Sequence, residues 1–176
     1  MTMQSLTSKD VLEIGPGKHP HDGATVRIDI VPNPNADYIM DVHRMEFGDE
    51  KFDEVLMFEC LEHTDSPLQA LREINRVLKM GGSLTLSVPN VYYYRLFLRW
   101  WLKGKTSAYE EHLWNWSIWE LTMLLERSGF VVEDCQPYNE SWNNKLSFFH
   151  RVFPRITSHS IKVLSRKVAS AAGPGR

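Results

Sequence analysis

Cysteine is scarce in this chain of 176 residues. Cys60 and Cys135 are the two present, far apart and without the spacing of metal ligands. That excludes a disulfide scaffold and favours reduced thiols, as in a cytoplasmic protein. No apolar run approaches the roughly 18 residues that cross a bilayer. Residues 1–10 lack the apolar core of a secretion signal. There are no internal repeats, no paired catalytic carboxylates, no Ser/His/Asp set and no Cys/His cluster. Net charge is also small, −2, but it is unevenly spread: residues 1–90 carry −7 and residues 91–176 carry +5. A basic half suits an acidic substrate, a lipid headgroup or nucleic acid, or simply balances the acidic half.

What is present begins with Val11-Leu12-Glu13-Ile14-Gly15-Pro16-Gly17. A short apolar run of this kind reads as a buried parallel strand. Glycines at its carboxyl end let a ligand approach the backbone. Asp29, at the tip of the next strand, is placed to accept hydrogen bonds from a ribose, so the pattern points to a nucleoside. Only Lys18–Thr25 separate the turn from that second strand, and they include Pro20 and Gly23. No full crossover helix fits there, which argues against a pyrophosphate that needs a helix N-terminus.

Strands are expected at 10–14, 25–30, 37–41, 53–58, 83–88, 130–135 and 160–167. A helix should follow Ser66 as N-cap, with Leu68, Leu71, Ile74, Val77 and Leu78 on one face and Gly81-Gly82 as its stop. A second helix is expected at 117–128 with Gly129 as C-cap. Leu146, Phe149, Val152 and Phe153 fit a short helix. The alternation predicts an α/β fold: a Rossmann-like, doubly wound, mostly parallel seven-stranded sheet with helices on both faces. Residues 1–167 are expected to form a single domain, with 89–116 as an aromatic insert and 168–176 as a disordered tail.

Five ordered elements carry a resemblance. They are Leu-Glu-Ile-Gly-Pro-Gly (12–17), Arg-Ile-Asp-Ile (27–30), Asp41-Val42, Phe52-Asp53-Glu54-Val55 leading to Leu61-Glu62-His63, and the run Glu73 to Gly82. Over residues 10–130 the chain resembles the class I S-adenosylmethionine-dependent methyltransferases, specifically the small type-11-like branch. The resemblance implies S-adenosylmethionine as cofactor and S-adenosylhomocysteine as product. It implies that Gly15, Pro16 and Gly17 approach the methionine end, and that Glu13 meets its ammonium directly or through water. Asp29 would bind the ribose hydroxyls, Ile30 would pack on the adenine, and Asp41 with the Val42 backbone would meet the adenine amino group. Phe58 and Glu59 would line the wall beside the sulfonium. Two departures stand out. The first loop lacks a third glycine and its helix, and the helices that usually precede the first strand are reduced, leaving a minimal version of the fold.

Methyl transfer needs a general base only where the acceptor must lose a proton. His63, after the fourth strand, and His112, ahead of the second helix, are the candidates; His19 and His43 lie nearer the cofactor loops. No metal site is expected. Residues 91–119 hold Tyr92, Tyr93, Tyr94, Phe97, Trp100, Trp101, Trp114, Trp116 and Trp119 among Arg95, Arg99, Lys103 and Lys105. They read either as a lid over a small-molecule acceptor, such as a sugar or lipid-linked glycan intermediate, that also leans on a membrane, or as core cover or a homodimer interface. The acidic first half argues against nucleic acid. The rivals are a non-catalytic cofactor- or partner-binding member of the fold and a nicotinamide-dependent oxidoreductase, which would need the three-glycine turn.

Overall fold

Alternation along the strands decides which face of the sheet is covered. In a computed structural model, which describes residues 9–104, 112–138 and 152–170, the order is β1 (Val11–Ile14), β2 (Val26–Asp29), β3 (Tyr38–Ile39), β4 (Phe52–Phe58), a 3₁₀ turn (Leu61–His63), α1 (Pro67–Val77), β5 (Leu78–Pro89), α2 (Tyr94–Lys103), α3 (Ile118–Arg127), β6 (Phe130–Tyr138), α4 (Pro154–Thr157) and β7 (Ser160–Lys167). The strands form one sheet in the order β3-β2-β1-β4-β5-β7-β6. Pairs from β3 to β5 are parallel, and β7 is antiparallel to both neighbours. This is the expected seven-stranded, mostly parallel Rossmann-like sheet.

On one face, Leu12, Ile14, Ile28, Val55, Met57, Leu84, Leu86, Val88, Ile161 and Val163 form a single apolar layer. It packs against Ala70, Leu71, Ile74 and Val77 of α1 and Leu121 and Leu125 of α3. The alternate residues are largely polar. Glu13 stands beside Arg27, Glu54 beside Ser83, and Ser83 beside Arg166, which pairs with Glu133. A small apolar group, Val11, Ala24 and Leu56 with Phe58 against it, interrupts this second face, and Leu164 and Val131, in register with Thr85 and Arg166, lie on it too. Helices were expected on both faces; among the described residues α1 and α3 cover one. The more polar side offers a helix less apolar area to bury, and burial of apolar area is what holds such layers together.

Several local details differ from the sequence reading. Helix α1 stops at Val77, where Leu78 turns extended (ψ 139°), and Gly81-Gly82 lie inside β5. There Gly81 takes φ +75° at an irregularity: Phe52 pairs with Leu78 but Glu54 with Ser83. The glycines thus absorb a bulge instead of ending the helix. Ser66 makes no side-chain cap; its N–H donates to His43 Nε2 at 3.3 Å. The cap of α3 falls on Ser128, one residue before Gly129. Phe153 precedes α4, while Leu146, Phe149 and residues 171–176 lie outside the described residues. Among those described, no helix is long and apolar enough to cross a membrane.

Helix α3 starts with a complete capping box. Glu120 N–H donates to Ser117 Oγ (3.2 Å), and Ser117 N–H donates to Glu120 Oε2 (3.0 Å). Ser117→Ala should therefore destabilise the protein by about 1 kcal/mol, read as a lower urea midpoint at unchanged m-value.

Candidate functional site

Connections from β1 run outward to β2 and β3, and those from β4 run the other way, so the sheet reverses between β1 and β4. Crevices form beyond the carboxyl ends of strands at such a switch point. Here one cleft is lined by Ile14, Gly15, Asp29, Ile30, Met40, Asp41, Val42, His43, Cys60 and His63. Five of the predicted cofactor residues, Gly15, Asp29, Ile30, Asp41 and Val42, line it together with the predicted His63.

Gly15 shows why the turn takes this sequence. Its φ is +68°, and an added Cβ would stand 2.9 Å from Cys60 Sγ. The residue after β4 is therefore packed directly on the backbone after β1. Burial, aided by the charges of Glu62 and Asp29, pushes the Cys60 thiol up to about 12, so it is a packing group and an inert thiol. Pro16, the residue after Gly15, is buried.

Asp29 is held at the β2 tip. Asn33 Nδ2 donates to Asp29 Oδ2 (2.8 Å) and to the Gly17 carbonyl (3.2 Å), and Asn35 Nδ2 donates to that same carbonyl at 2.8 Å. These asparagines tie the glycine turn to Asp29. The sequence reading missed them, although Asn33-Pro34-Asn35 is a turn signal. Ile30 is 65% exposed at the cleft mouth, an apolar side chain without cover. Asp41 Oδ1 accepts from His43 N–H (2.8 Å) and from His43 Nδ1 (2.7 Å), which lowers the Asp41 pKa chiefly through the backbone N–H. Because His43 Nε2 accepts from Ser66 N–H, its ring carries the proton on Nδ1. Val42 is buried, and its loop is clamped by Arg76, which donates to the Met45 and Phe47 carbonyls at 2.9 and 2.8 Å.

Other expected residues are placed differently. Glu13 is 3% exposed, and its two oxygens accept from His21 N–H at 3.0 Å each, with Arg27 Nε at 3.2 Å. Its carboxylate thus has protein partners and anchors the loop that replaces the crossover helix. The Gly17 carbonyl accepts from Asn33 and Asn35, and Gly17 itself does not line the cleft. Phe58 lies on the second face with Val11 and Leu56, with Lys162 Nζ 5.6 Å from its ring centre. Glu59 adopts φ +45°, a strained conformation for a non-glycine residue, and its Oε1 accepts from Ser87 Oγ at 2.7 Å.

His63 and His112, distant in sequence, meet edge to face with ring centres 4.8 Å apart. Leu113 N–H donates to the Glu62 carbonyl (3.0 Å), and Trp114 Nε1 donates to the Thr64 carbonyl (2.8 Å), stitching the second segment onto the 3₁₀ turn. Beside them lies Glu62, fully buried, with no hydrogen-bond partner for either carboxylate oxygen among the described residues. Burial, then the charge of Glu59, pushes its pKa up to about 8. The sequence reading passed over Glu62 as part of a motif, because nothing in Leu-Glu-His says which side chain turns inward.

A family model described as a methyltransferase domain matches residues 4–134, and the chain belongs to that family. Demethylmenaquinone methyltransferase of Tropheryma whipplei is 34% identical over 121 residues, covering 59% of this chain and 47% of that protein. The chain thus spans about half the length of the curated relatives it matches. An S-adenosylmethionine-dependent methyltransferase of Thermotoga maritima aligns with TM-score 0.67 at 20% identity, over 93% of this chain and 84% of that one. The 1,6-didemethyltoxoflavin-N1-methyltransferase of Burkholderia thailandensis, solved with 1,6-didemethyltoxoflavin and S-adenosylhomocysteine, gives 0.63 at 19% identity, over 92% and 72%. These two likenesses concern the fold.

Gly15→Ala should cost about 1–3 kcal/mol, from overpacking on Cys60 and the positive φ. Cys60→Ala in the same chain should return part of that loss in a double-mutant cycle by urea unfolding. Strict additivity would place the cost elsewhere.

Proposed function

We propose that the protein binds S-adenosylmethionine in the switch-point cleft and transfers its methyl group to a small-molecule acceptor. The observation that carries this is the convergence of Gly15, Asp29, Asp41 and the uncovered Ile30 on one cleft. The residues fit the cofactor: a backbone approach without Cβ, a carboxylate fixed at a strand tip, and an apolar surface for a flat ring. When bound, the cofactor supplies a methyl group already activated on a cationic sulfur. Gly15 admits its backbone, Asp29 accepts from the ribose hydroxyls, Ile30 covers the adenine, and Asp41 with Val42 meets the adenine edge. Glu13 acts through His21 by holding the turn in place, since its own oxygens are engaged. His63 and His112 stand at the acceptor side, where aligning the nucleophile with the methyl is the protein's main task. A pyrophosphate cofactor is disfavoured, because the β1 exit offers turns and no helix N-terminus among the described residues.

Asp29→Ala should weaken S-adenosylhomocysteine binding by about 1–3 kcal/mol in calorimetry, through lost hydrogen bonds to the ribose. Unchanged affinity would remove Asp29 from the site. Binding without methyl transfer to any acceptor would instead favour a non-catalytic member of the fold.

The acceptor side favours a lipid-linked molecule met at a membrane surface. Helix α2 buries Leu96 alone, while Phe97, Trp101 and Leu102 are 58%, 71% and 75% exposed. Arg95, Arg99 and Lys103 run along the same helix, and residues 91–104 contain no acidic side chain. An apolar arc flanked by cations suits the interface of an anionic bilayer. The protein should co-sediment with vesicles rich in phosphatidylglycerol more than with pure phosphatidylcholine, and less at high salt. Phe97→Ala with Trp101→Ala should abolish this. Equal recovery from both vesicle types, or none, would count against a membrane-borne acceptor.

A further inference from the structure

We propose that Glu62, His63 and His112 form a binding site for a divalent first-row transition metal ion beside the cofactor cleft. Each offers one ligand atom, and the three atoms lie within 4.8 Å of one another. Two stretches separated by almost fifty residues are brought together for this. The 3₁₀ turn after β4 presents Glu62 and His63, and the hydrogen bonds from Leu113 and Trp114 fix the segment that carries His112. Trp114 in turn stacks near Trp116, with ring centres 6.0 Å apart, and Trp116 accepts from Val91 N–H after β5 (3.0 Å). The segment is therefore anchored at both ends of the contact.

Glu62 provides the independent sign of a ligand. Its side chain is fully buried, and both oxygens lack a partner among the described residues. Folds seldom keep a buried carboxylate without a donor or counter-charge, because its desolvation then goes uncompensated. Among the described residues no lysine or arginine is bonded to it. A cation bound between it and the two imidazoles supplies what is missing.

The donor set states the kind of ion. Two imidazoles and a carboxylate suit manganese, iron, cobalt or zinc, whereas magnesium and calcium favour oxygen ligands. Three protein ligands leave coordination positions open. His63 also lines the cleft that holds Asp29 and Gly15, so the ion borders the space where the methyl group would be presented. Its place in catalysis rests on the methyltransferase proposal; the binding site itself does not. In that setting the ion takes a hydroxyl or phenolic oxygen of the acceptor and makes it more acidic. The hydroxyl proton passes to water and the oxygen attacks the methyl carbon. The O–CH₃ bond forms as the S–CH₃ bond breaks, and the bonding pair stays on sulfur, which becomes a neutral thioether. His63 and His112 then hold the ion through their nitrogens, and the acceptor belongs to the hydroxyl-bearing class.

The test uses the full chain, stripped with a chelator and titrated with Co²⁺ by absorbance and with Zn²⁺ and Mn²⁺ by calorimetry. S-adenosylhomocysteine binding is measured on the same samples. One ion per chain is expected. Glu62→Gln, His63→Ala and His112→Ala should each weaken it by about 10–100-fold or more, with His19→Ala unchanged. Glu62→Gln and His112→Ala should keep their far-ultraviolet circular dichroism and their affinity for S-adenosylhomocysteine. No uptake, or uptake that none of the three substitutions alters, overturns the metal site. Metal binding without S-adenosylhomocysteine binding would leave the site standing and remove the methyltransferase proposal instead. Should Glu62→Gln fail to fold, His112→Ala, on a half-buried segment, gives the same decision.

Discussion

At the switch-point cleft, the glycine turn and Asp29 depend on how the chain gets from β1 to β2 without a helix. In a longer crossover, a packed helix would fix the turn by burying an apolar stripe. Here residues 15–25 have too few positions for that, and side-chain hydrogen bonds take over. Glu13 grips the loop at His21, Arg27 closes on both Glu13 and the His21 carbonyl, and Asn33 and Asn35 hold Gly17 from the other side. The Glu13–Arg27 contact is largely shielded from solvent, where leaving one partner unmatched is costly. The polar second face of the sheet is thus the framework of the glycine turn. Gly15, at the start of that turn, rests on Cys60 after β4.

The layered architecture was legible because burial follows alternation. Leu12 and Ile14, Val55 and Met57, and Leu84 and Leu86 all point one way, and the spacing of Leu71, Ile74 and Val77 marks the helix that covers them. The intervening Glu13, Arg27, Glu54 and Ser83 make the opposite face polar, and among the described residues no helix packs on it. That inference needs the strands to be set in register, which a linear reading does not supply. The bulge at Gly81 was hidden for a similar reason. Lys-Met-Gly-Gly after an apolar helical stripe is a good stop signal, and only pairing with β4 shows those glycines inside a strand.

Within the site, residues whose role is set by the backbone were easier to find than those set by long-range contact. Gly15, Asp29 and Asp41 sit at strand ends, and the ends of parallel strands are where such folds place their ligands. Glu62, Asn33 and the meeting of His63 with His112 depend on which way a turn rotates a side chain. Phe58 shows the same limit in reverse. It stands one residue from the cleft, but strand alternation sends it to the other face.

The division of charge along the chain follows from this geometry. The acidic half contains β1 to β4, and Asp29, Asp41, Glu59 and Glu62 all lie near their carboxyl ends, an environment that favours cationic ligands. The basic half contains α2, which follows the carboxyl end of β5, and the antiparallel β7, which starts opposite that end. A sulfonium cofactor and a divalent ion draw on the same negative field, so the two would compete electrostatically unless the carboxylates were shared out. The strained Glu59 backbone and the buried Glu62 lie within four residues after β4, and Cys60 between them packs on Gly15. Strain and desolvation are therefore concentrated at one strand exit, where a bound cation relieves the second and Ser87 fixes the first. At that exit one short stretch of backbone carries both Cys60, packed on the glycine turn, and His63, in contact with His112.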